Sequence, residues 1–211
     1  MNSDRTGMMI VISSPSGVGK TTLVKLLAER NNNFEISISS TTRIPRKNEI
    51  EGKDYYFVNE EKFDDLAKTK SFYEYARVFN NFYGTLKDPV IENLSQGKDV
   101  LFDIDWQGSE QIKKLKLKNK LISIFILPPN IETHRDRLLN RDMKDKLILK
   151  ERMSQFKNDV LHWKEYDYVA INNDLEQCYQ LIVSIIDCEK KKKKFLFDQN
   201  KIREKISELI N

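Results

Sequence analysis

The chain has 211 residues, 39% hydrophobic and 32% charged, enough for one domain with a sizeable core and smaller inserted lobes. Basic residues exceed acidic ones by only four (36 against 32), and much of that excess sits in Lys190–Lys194. This run reads as a solvated helix face or tail, because no aromatic-interleaved basic surface accompanies it to favour nucleic acid. No stretch approaches the roughly 18 apolar residues that span a bilayer, and the polar Met1–Gly7 lacks the apolar core and cleavage site of a signal peptide, so the expectation is a cytoplasmic protein without a membrane partner.

Met8–Ser13 is a short continuous apolar run, the pattern of a buried parallel strand. Thr22–Arg30 follows with Leu23, Leu26 and Leu27 at helical spacing. From Phe34 to Tyr83 the rhythm breaks into short strands (Ile36–Ser40, Tyr55–Val58) and a helix near Glu60–Lys68, dense in aromatics that include Phe79. This stretch reads as an inserted lobe. Val100–Ile104, Leu121–Leu127 and Tyr168–Ile171 read as further buried strands, the second ended by Pro128-Pro129. Helical stretches are expected at Gly108–Lys118, Ile131–Leu139, Lys146–Leu161 and Leu175–Cys188, with a second, polar insertion around Asn140–Lys150. Strands alternating with helices imply an α/β fold with a parallel sheet covered on both faces. The tail Phe195–Asn211 has Ile202, Ile206, Leu209 and Ile210 at helical spacing, suited to packing on the core or on a partner chain. Cys178 and Cys188 have no His or Cys at metal-ligand spacing and read as packing residues, as do Trp106 and Trp163. His134 and His162 read as surface or packing residues.

Between the first strand and the first helix lies Ser14-Pro15-Ser16-Gly17-Val18-Gly19-Lys20-Thr21. In a phosphate-binding loop the glycines let successive backbone N–H groups turn toward one anion. The lysine reaches the β- and γ-phosphates, and the hydroxyl ligates Mg²⁺. Gly19, Lys20 and Thr21 fill the last three fixed places of G-x-x-x-x-G-K-[ST], and Ser14 stands where the first glycine is usual. Such a loop wants an acidic residue at the end of a neighbouring strand, and Asp103 and Asp105 follow Val100–Ile104 in that way.

Together with Ser39-Ser40-Thr41-Thr42-Arg43-Ile44-Pro45-Arg46, Gly52–Val58, Asn81-Phe82-Tyr83-Gly84-Thr85, Asp103-Ile104-Asp105-Trp106-Gln107-Gly108 and Ile124–Pro129, the loop resembles the guanylate kinases from about residue 8 to residue 190. The resemblance implies a P-loop core (1–36, 88–130 and 153–211), a mixed α+β GMP-binding lobe (37–87) and a helical lid region (131–152). The implied reaction is ATP + GMP ⇌ ADP + GDP with Mg²⁺, on ATP and GMP as small-molecule substrates. ATP would lie on Ser14, Pro15, Ser16, Gly17, Val18, Gly19, Lys20, Thr21 and Thr22. Asn172, which could equally be a strand-end turn residue, matches a position near the adenine. The metal would be held by Thr21 and Asp103, directly or through water. On the acceptor side the resemblance assigns Glu74 and Ser39 to the Watson–Crick edge of guanine, with Asp105 near the amino group. Arg43, Arg46, Tyr55 and Tyr83 would take the GMP phosphate, with Thr85 close by. Lys20, Arg43, Arg137, Arg141 and Arg152 would neutralise the transferring phosphoryl group. The lid departs from the R-G-R-G run that family members often carry, with Asn140 and Asp142 in the glycine places. Two other readings stand beside this one: a kinase-like binding module that recognises phosphorylated peptides, and a P-loop kinase for AMP, dTMP or UMP. A monomer and a homodimer are both compatible with the sequence.

Overall fold

In a computed structural model of the chain, β1 (Met9–Ser13) is buried at all five positions, which its unbroken apolar run requires of a strand covered on both faces. The structure describes residues 6–78, 80–141, 146–193, 195–196 and 198–210, with the side chains at 141 and 146–148 outside that description. Phe79, Lys194, and Asp142 with the rest of 142–145 in the expected polar insertion therefore lie outside the described residues.

The main sheet has five strands in the order β2-β7-β1-β8-β9. β2 (Phe34–Ile36) pairs parallel with β7 (Asp99–Asp103), and β8 (Leu121–Leu127) pairs parallel with β9 (Tyr168–Ile171). The sheet is flanked by α1 (Lys20–Arg30), α3 (Lys87–Ser95), α5 (Ile131–Arg141), α6 (Lys146–Leu161) and α7 (Leu175–Lys190). Open α/β sheets bind ligands beyond the carboxyl ends of their strands, and the glycine-containing loop leaves β1 at that end.

A second sheet of four strands runs β4-β3-β6-β5. β3 (Ser39–Thr41) lies parallel to β4 (Tyr56–Phe57) and antiparallel to β6 (Asn81–Leu86), which in turn pairs antiparallel with β5 (Phe72–Val78). Its apolar side is closed by α2 (Glu60–Lys68), whose buried Phe63 meets Phe72 and Phe82 at ring distances of 4.7 and 5.4 Å. α2 occupies the range its pattern predicts, because Asn59 caps it by accepting from the Lys62 N–H.

Ile36–Ser40, expected as one strand, is divided between the two sheets. Phe34–Ile36 follows β7, the Ser37 N–H still reaches the Leu101 carbonyl at 2.9 Å, and the chain then leaves to form β3. A second boundary moves as well. α4 (Trp106–Lys113) begins earlier than the expected Gly108 because the Asp105 carboxylate accepts from the Gly108 N–H and starts the helix. The tail forms α8 (Gln199–Ile210), which packs on α6 with Ile202, Ile206 and Leu209 buried. No helix among the described residues is long and apolar enough to cross a membrane.

By compactness the chain separates into two units: Met1–Val11 with Asn32–Ile122, and Ile12–Asn31 with Ser123–Asn211. The first carries the four-stranded sheet and the second carries the phosphate loop, and each is described in its own right below.

Candidate functional site

In the second unit the loop after β1 turns through two left-handed glycines, Gly17 (φ +84°) and Gly19 (φ +101°). Neither position has room for a side chain. A Cβ on Gly17 would lie 2.4 Å from Leu138 Cδ2, and one on Gly19 would lie 2.7 Å from Asn172 Nδ2. Ser14, in the place of the usual first glycine, turns its hydroxyl onto the Pro15 carbonyl at 2.8 Å. Gly19 begins α1 without a side-chain cap, and the first turn holds no acidic residue. The first-turn N–H groups and the positive end of the helix dipole therefore favour an anion there. Lys20 opens this turn, with Thr21 and Thr22 exposed beside it.

Side chains from elsewhere in the unit hold the carbonyl side of the loop. His134 Nε2 stands 2.8 Å from the Ser16 carbonyl oxygen. Arg137 donates to the carbonyls of Val18 (3.0 Å) and Asn172 (3.1 Å), and Asn172 Nδ2 donates to the same Val18 oxygen at 2.8 Å. Arg152 donates to the Ser16 hydroxyl at 3.1 Å. His134, Arg137 and Leu138 share one face of α5 at spacing i, i+3, i+4, so one helix supplies much of this backing. Thus Arg137, Arg152 and Asn172 all touch the loop, while Arg141 lies at the end of α5 with its side chain outside the description.

In the first unit the strand register makes a row across three strands. Ser39 on β3 stands opposite Thr85 on β6, and Thr85 opposite Glu74 on β5. All three are buried; Glu74 is 4% exposed. The Thr85 hydroxyl donates to Glu74 Oε1 at 2.6 Å and lies 3.5 Å from the Ser39 hydroxyl. Burying a carboxylate is tolerable only with donors around it, and the Thr85 hydroxyl is one such donor. The register between β5 and β6 shifts between Phe72 and Glu74, just before this row. α4 closes one wall, where Gln111 exchanges hydrogen bonds with the Tyr75 main chain. At that wall a Cβ on Gly108 would fall 2.5 Å from Glu74 Oε2, so only glycine leaves the carboxylate its place. Asp105 accepts from the Gly108 N–H at 3.0 Å and from Gln107 Nε2 at 3.1 Å, beside the same wall.

A few residues away, the same sheet presents positive charge. Arg43 donates to both oxygens of Glu49 (2.8 and 2.9 Å), and the Arg46 N–H donates to Glu49 Oε2 at 2.8 Å. Glu49 is partly buried, which pushes its carboxyl up, yet these bonds and charges hold it below its ordinary range. The Arg43 guanidinium lies 5.3 Å from the centre of the Tyr55 ring, and Tyr55 meets Tyr83 edge-on at 5.9 Å. Burial, and then the charge of Asp103, push the Tyr55 phenol up to about 12, so it keeps its O–H as a donor. Asp103 itself sits at the end of β7.

The family model for guanylate kinase matches residues 6–189. The chain belongs to the guanylate kinase family. It is 44% identical over 189 residues to a guanylate kinase of Paramagnetospirillum magneticum, covering 90% of this chain and 88% of that one. It is 47% identical over 192 residues to the Rickettsia prowazekii guanylate kinase, covering 91% and 96%. The crystal structure of guanylate kinase from Anaplasma phagocytophilum superposes with a TM-score of 0.72 at 37% identity, covering 88% of this chain and 87% of that one. Guanylate kinases are nucleoside monophosphate kinases, transferases that phosphorylate GMP, and the parallel five-stranded sheet flanked by helices is the fold of that crystal structure.

The sequence reading missed the loop contact of one residue here and passed over another. His134, expected as surface or packing, is buried, stacks on Phe156 at 4.2 Å, and is also hydrogen-bonded to the guanylate kinase loop. Glu49 binds both Arg43 and the Arg46 backbone, and its only sequence signal was an acid three residues beyond Arg46.

Proposed function

We propose that this chain transfers the γ-phosphoryl group of ATP to GMP, giving ADP and GDP, with Mg²⁺. The observation that carries this reading is the buried Glu74 carboxylate, held by Thr85 and packed so closely on Gly108 that only glycine fits there. Guanine offers N1–H and N2–H₂ to such a carboxylate, and its O6 accepts from a hydroxyl such as that of Ser39. Adenine would present a lone pair at N1 and leave Glu74 facing it without a donor. Sites that hydrogen-bond their substrate reject such an analogue by on the order of 10⁴. Asp105 would stand near the guanine amino group.

Arg43, Arg46, Tyr55 and Tyr83 would receive the GMP phosphate. Arginine's planar fork matches phosphate oxygens, and Glu49 already orients Arg43 and the Arg46 backbone. The acceptor is an anionic phosphate oxygen, so no strong base is needed. What transfer requires is alignment and neutralisation of charge. Lys20 and the loop N–H groups would hold the ATP phosphates, with Ser14, Pro15, Ser16, Val18 and Thr22 along the nucleotide and Asn172 toward its base. Arg137, Arg141 and Arg152 would add positive charge around the transferring group.

Mg²⁺ keeps several waters and binds through few protein oxygens plus substrate phosphates. The exposed Thr21 hydroxyl at the start of α1 is a hard oxygen donor of that kind, and Asp103 would hold a metal-bound water. When bound, the ion neutralises the phosphate oxygens on the donor side. In this reading, residues 37–87 serve as the acceptor lobe, 131–152 as the lid, and the rest as the core. Its partners are the two nucleotides alone, in the cytoplasm, with the chain acting as a monomer or a homodimer.

The test is a coupled assay of ADP release with ATP, Mg²⁺ and each of GMP, AMP, dTMP and UMP. Turnover with GMP and little with AMP is expected. Folded protein that turns over no acceptor would leave the binding-module reading in its place, and preference for another monophosphate would overturn the guanine assignment.

A further inference from the structure

The phosphate loop is a main-chain anion site, and what fixes it is the orientation of its peptide planes. All peptide bonds among the described residues are trans. In a trans peptide the C=O and the next residue's N–H point in opposite directions. Whatever captures the Ser16 carbonyl therefore also decides where the Gly17 N–H points. His134 Nε2 captures it, at 2.8 Å. A carbonyl oxygen only accepts, so Nε2 carries the hydrogen and Nδ1 holds the lone pair. Nδ1 is buried and has no partner among the described residues, so a proton there would lack an acceptor. The ring is held in place by Phe156, stacked at 4.2 Å and 29°. Arg137 and Asn172 perform the same service two peptides further on, at the Val18 carbonyl, which turns the Gly19 N–H.

We propose that His134 is a positioning residue of the donor site: as the Nε2–H tautomer it draws the Ser16 carbonyl toward α5 and so aims the Gly17 N–H at the phosphates of ATP. The inference rests on the reading of this loop as the ATP site. It gives a reason for a fully buried imidazole on a helix face otherwise suited to an aliphatic side chain such as the neighbouring Leu138.

The test compares wild type, His134→Leu and His134→Gln by titration with Mg·ATP and, separately, with GMP, alongside steady-state kinetics and thermal melting. Leucine fills the apolar space beside Phe156 without a donor, and the glutamine amide nitrogen replaces Nε2. His134→Leu is expected to weaken ATP binding and raise the KM for ATP by about tenfold, the scale of one hydrogen bond, with GMP affinity unchanged. His134→Gln is expected to recover most of that loss. Nitrogen NMR of the wild-type ring is expected to show protonated Nε2 and bare Nδ1. Equal ATP affinity in all three proteins, an Nδ1–H tautomer, or losses in both variants that follow melting temperature rather than the presence of a donor would each overturn the proposal. Failure of wild type to bind ATP at all would instead overturn the donor-site reading beneath it.

Discussion

The two halves of the chain build their proposed nucleotide sites by different means. In the unit with the phosphate loop, the groups proposed to meet the ligand are largely backbone N–H groups, and side chains hold the Ser16 and Val18 carbonyls behind them. In the unit with the four-stranded sheet, the groups proposed to meet the ligand are side chains, and other side chains hold them: Thr85 holds Glu74, and Glu49 holds Arg43. A polyphosphate needs only converging donors, which any backbone supplies once its peptide planes are set. A purine edge has a fixed pattern of donors and acceptors, which in the proposed reading is met by a buried carboxylate and hydroxyls. The contrast predicts that substitutions in one half alter one substrate and spare the other.

The largest break should come from Lys20→Ala. Turnover is expected to fall on the order of 10²–10³ or more as the loop loses its only side-chain charge on the phosphates, while the KM for GMP holds. Near-normal turnover would remove Lys20 from the chemistry. Glu74→Gln should be next. The GMP-over-AMP ratio of kcat/KM is expected to shrink by roughly 100-fold, since an amide can meet adenine as well as guanine; an unchanged ratio would count against the guanine assignment.

Gly108→Ala sharpens the comparison, because residue 108 need not touch GMP. Its new Cβ would displace the Glu74 carboxylate from 2.5 Å, so kcat/KM for GMP should drop about tenfold with the KM for ATP constant. If both substrates weaken equally, Gly108 serves the fold rather than the placing of Glu74. Glu49→Gln should raise the KM for GMP about three- to tenfold by loosening Arg43, and a KM that is unchanged or lower would mean that Glu49 competes with the phosphate instead of orienting its receptor.

The smallest effect is on stability. Burial, and then the charge of Arg137, hold the His134 imidazole below its ordinary value despite the bond to Ser16. The unfolded chain therefore takes up a proton near pH 6.5 that the folded chain refuses, and stability falls as pH drops below about 6.5 toward the depressed folded value. Denaturant melts across that interval should show a shallower fall in His134→Leu than in wild type. Parallel curves would place the titration elsewhere.

The same contrast explains how much could be read beforehand. The donor half follows from local order: a buried strand, glycines where φ must be positive, Lys20 and Thr21 at the helix start. The acceptor half has no such local signature. Ser39, Glu74 and Thr85 are brought into one row only by pairing of strands distant in sequence, and β5 and β6 carried too many aromatics in succession to show a clear alternation. The roles proposed for them come from resemblance to a family alone. The division of Ile36–Ser40 between two sheets was hidden for the same reason, since Ser37, Ser39 and Ser40 carry no hydrophobic pattern to say which partner each will find. His134 escaped notice because a histidine on a helical face declares its partner only when the loop beneath it is in place.

The most direct measurement is a crossed titration of wild type, Lys20→Ala and Glu74→Gln with Mg·ATP and with GMP. Lys20→Ala should lose ATP affinity by about tenfold or more and keep GMP within about twofold, and Glu74→Gln should do the reverse. Equal weakening of both nucleotides by either substitution, or wild-type protein that binds AMP as well as GMP, would contradict the assignment of one half to the donor and the other to guanine.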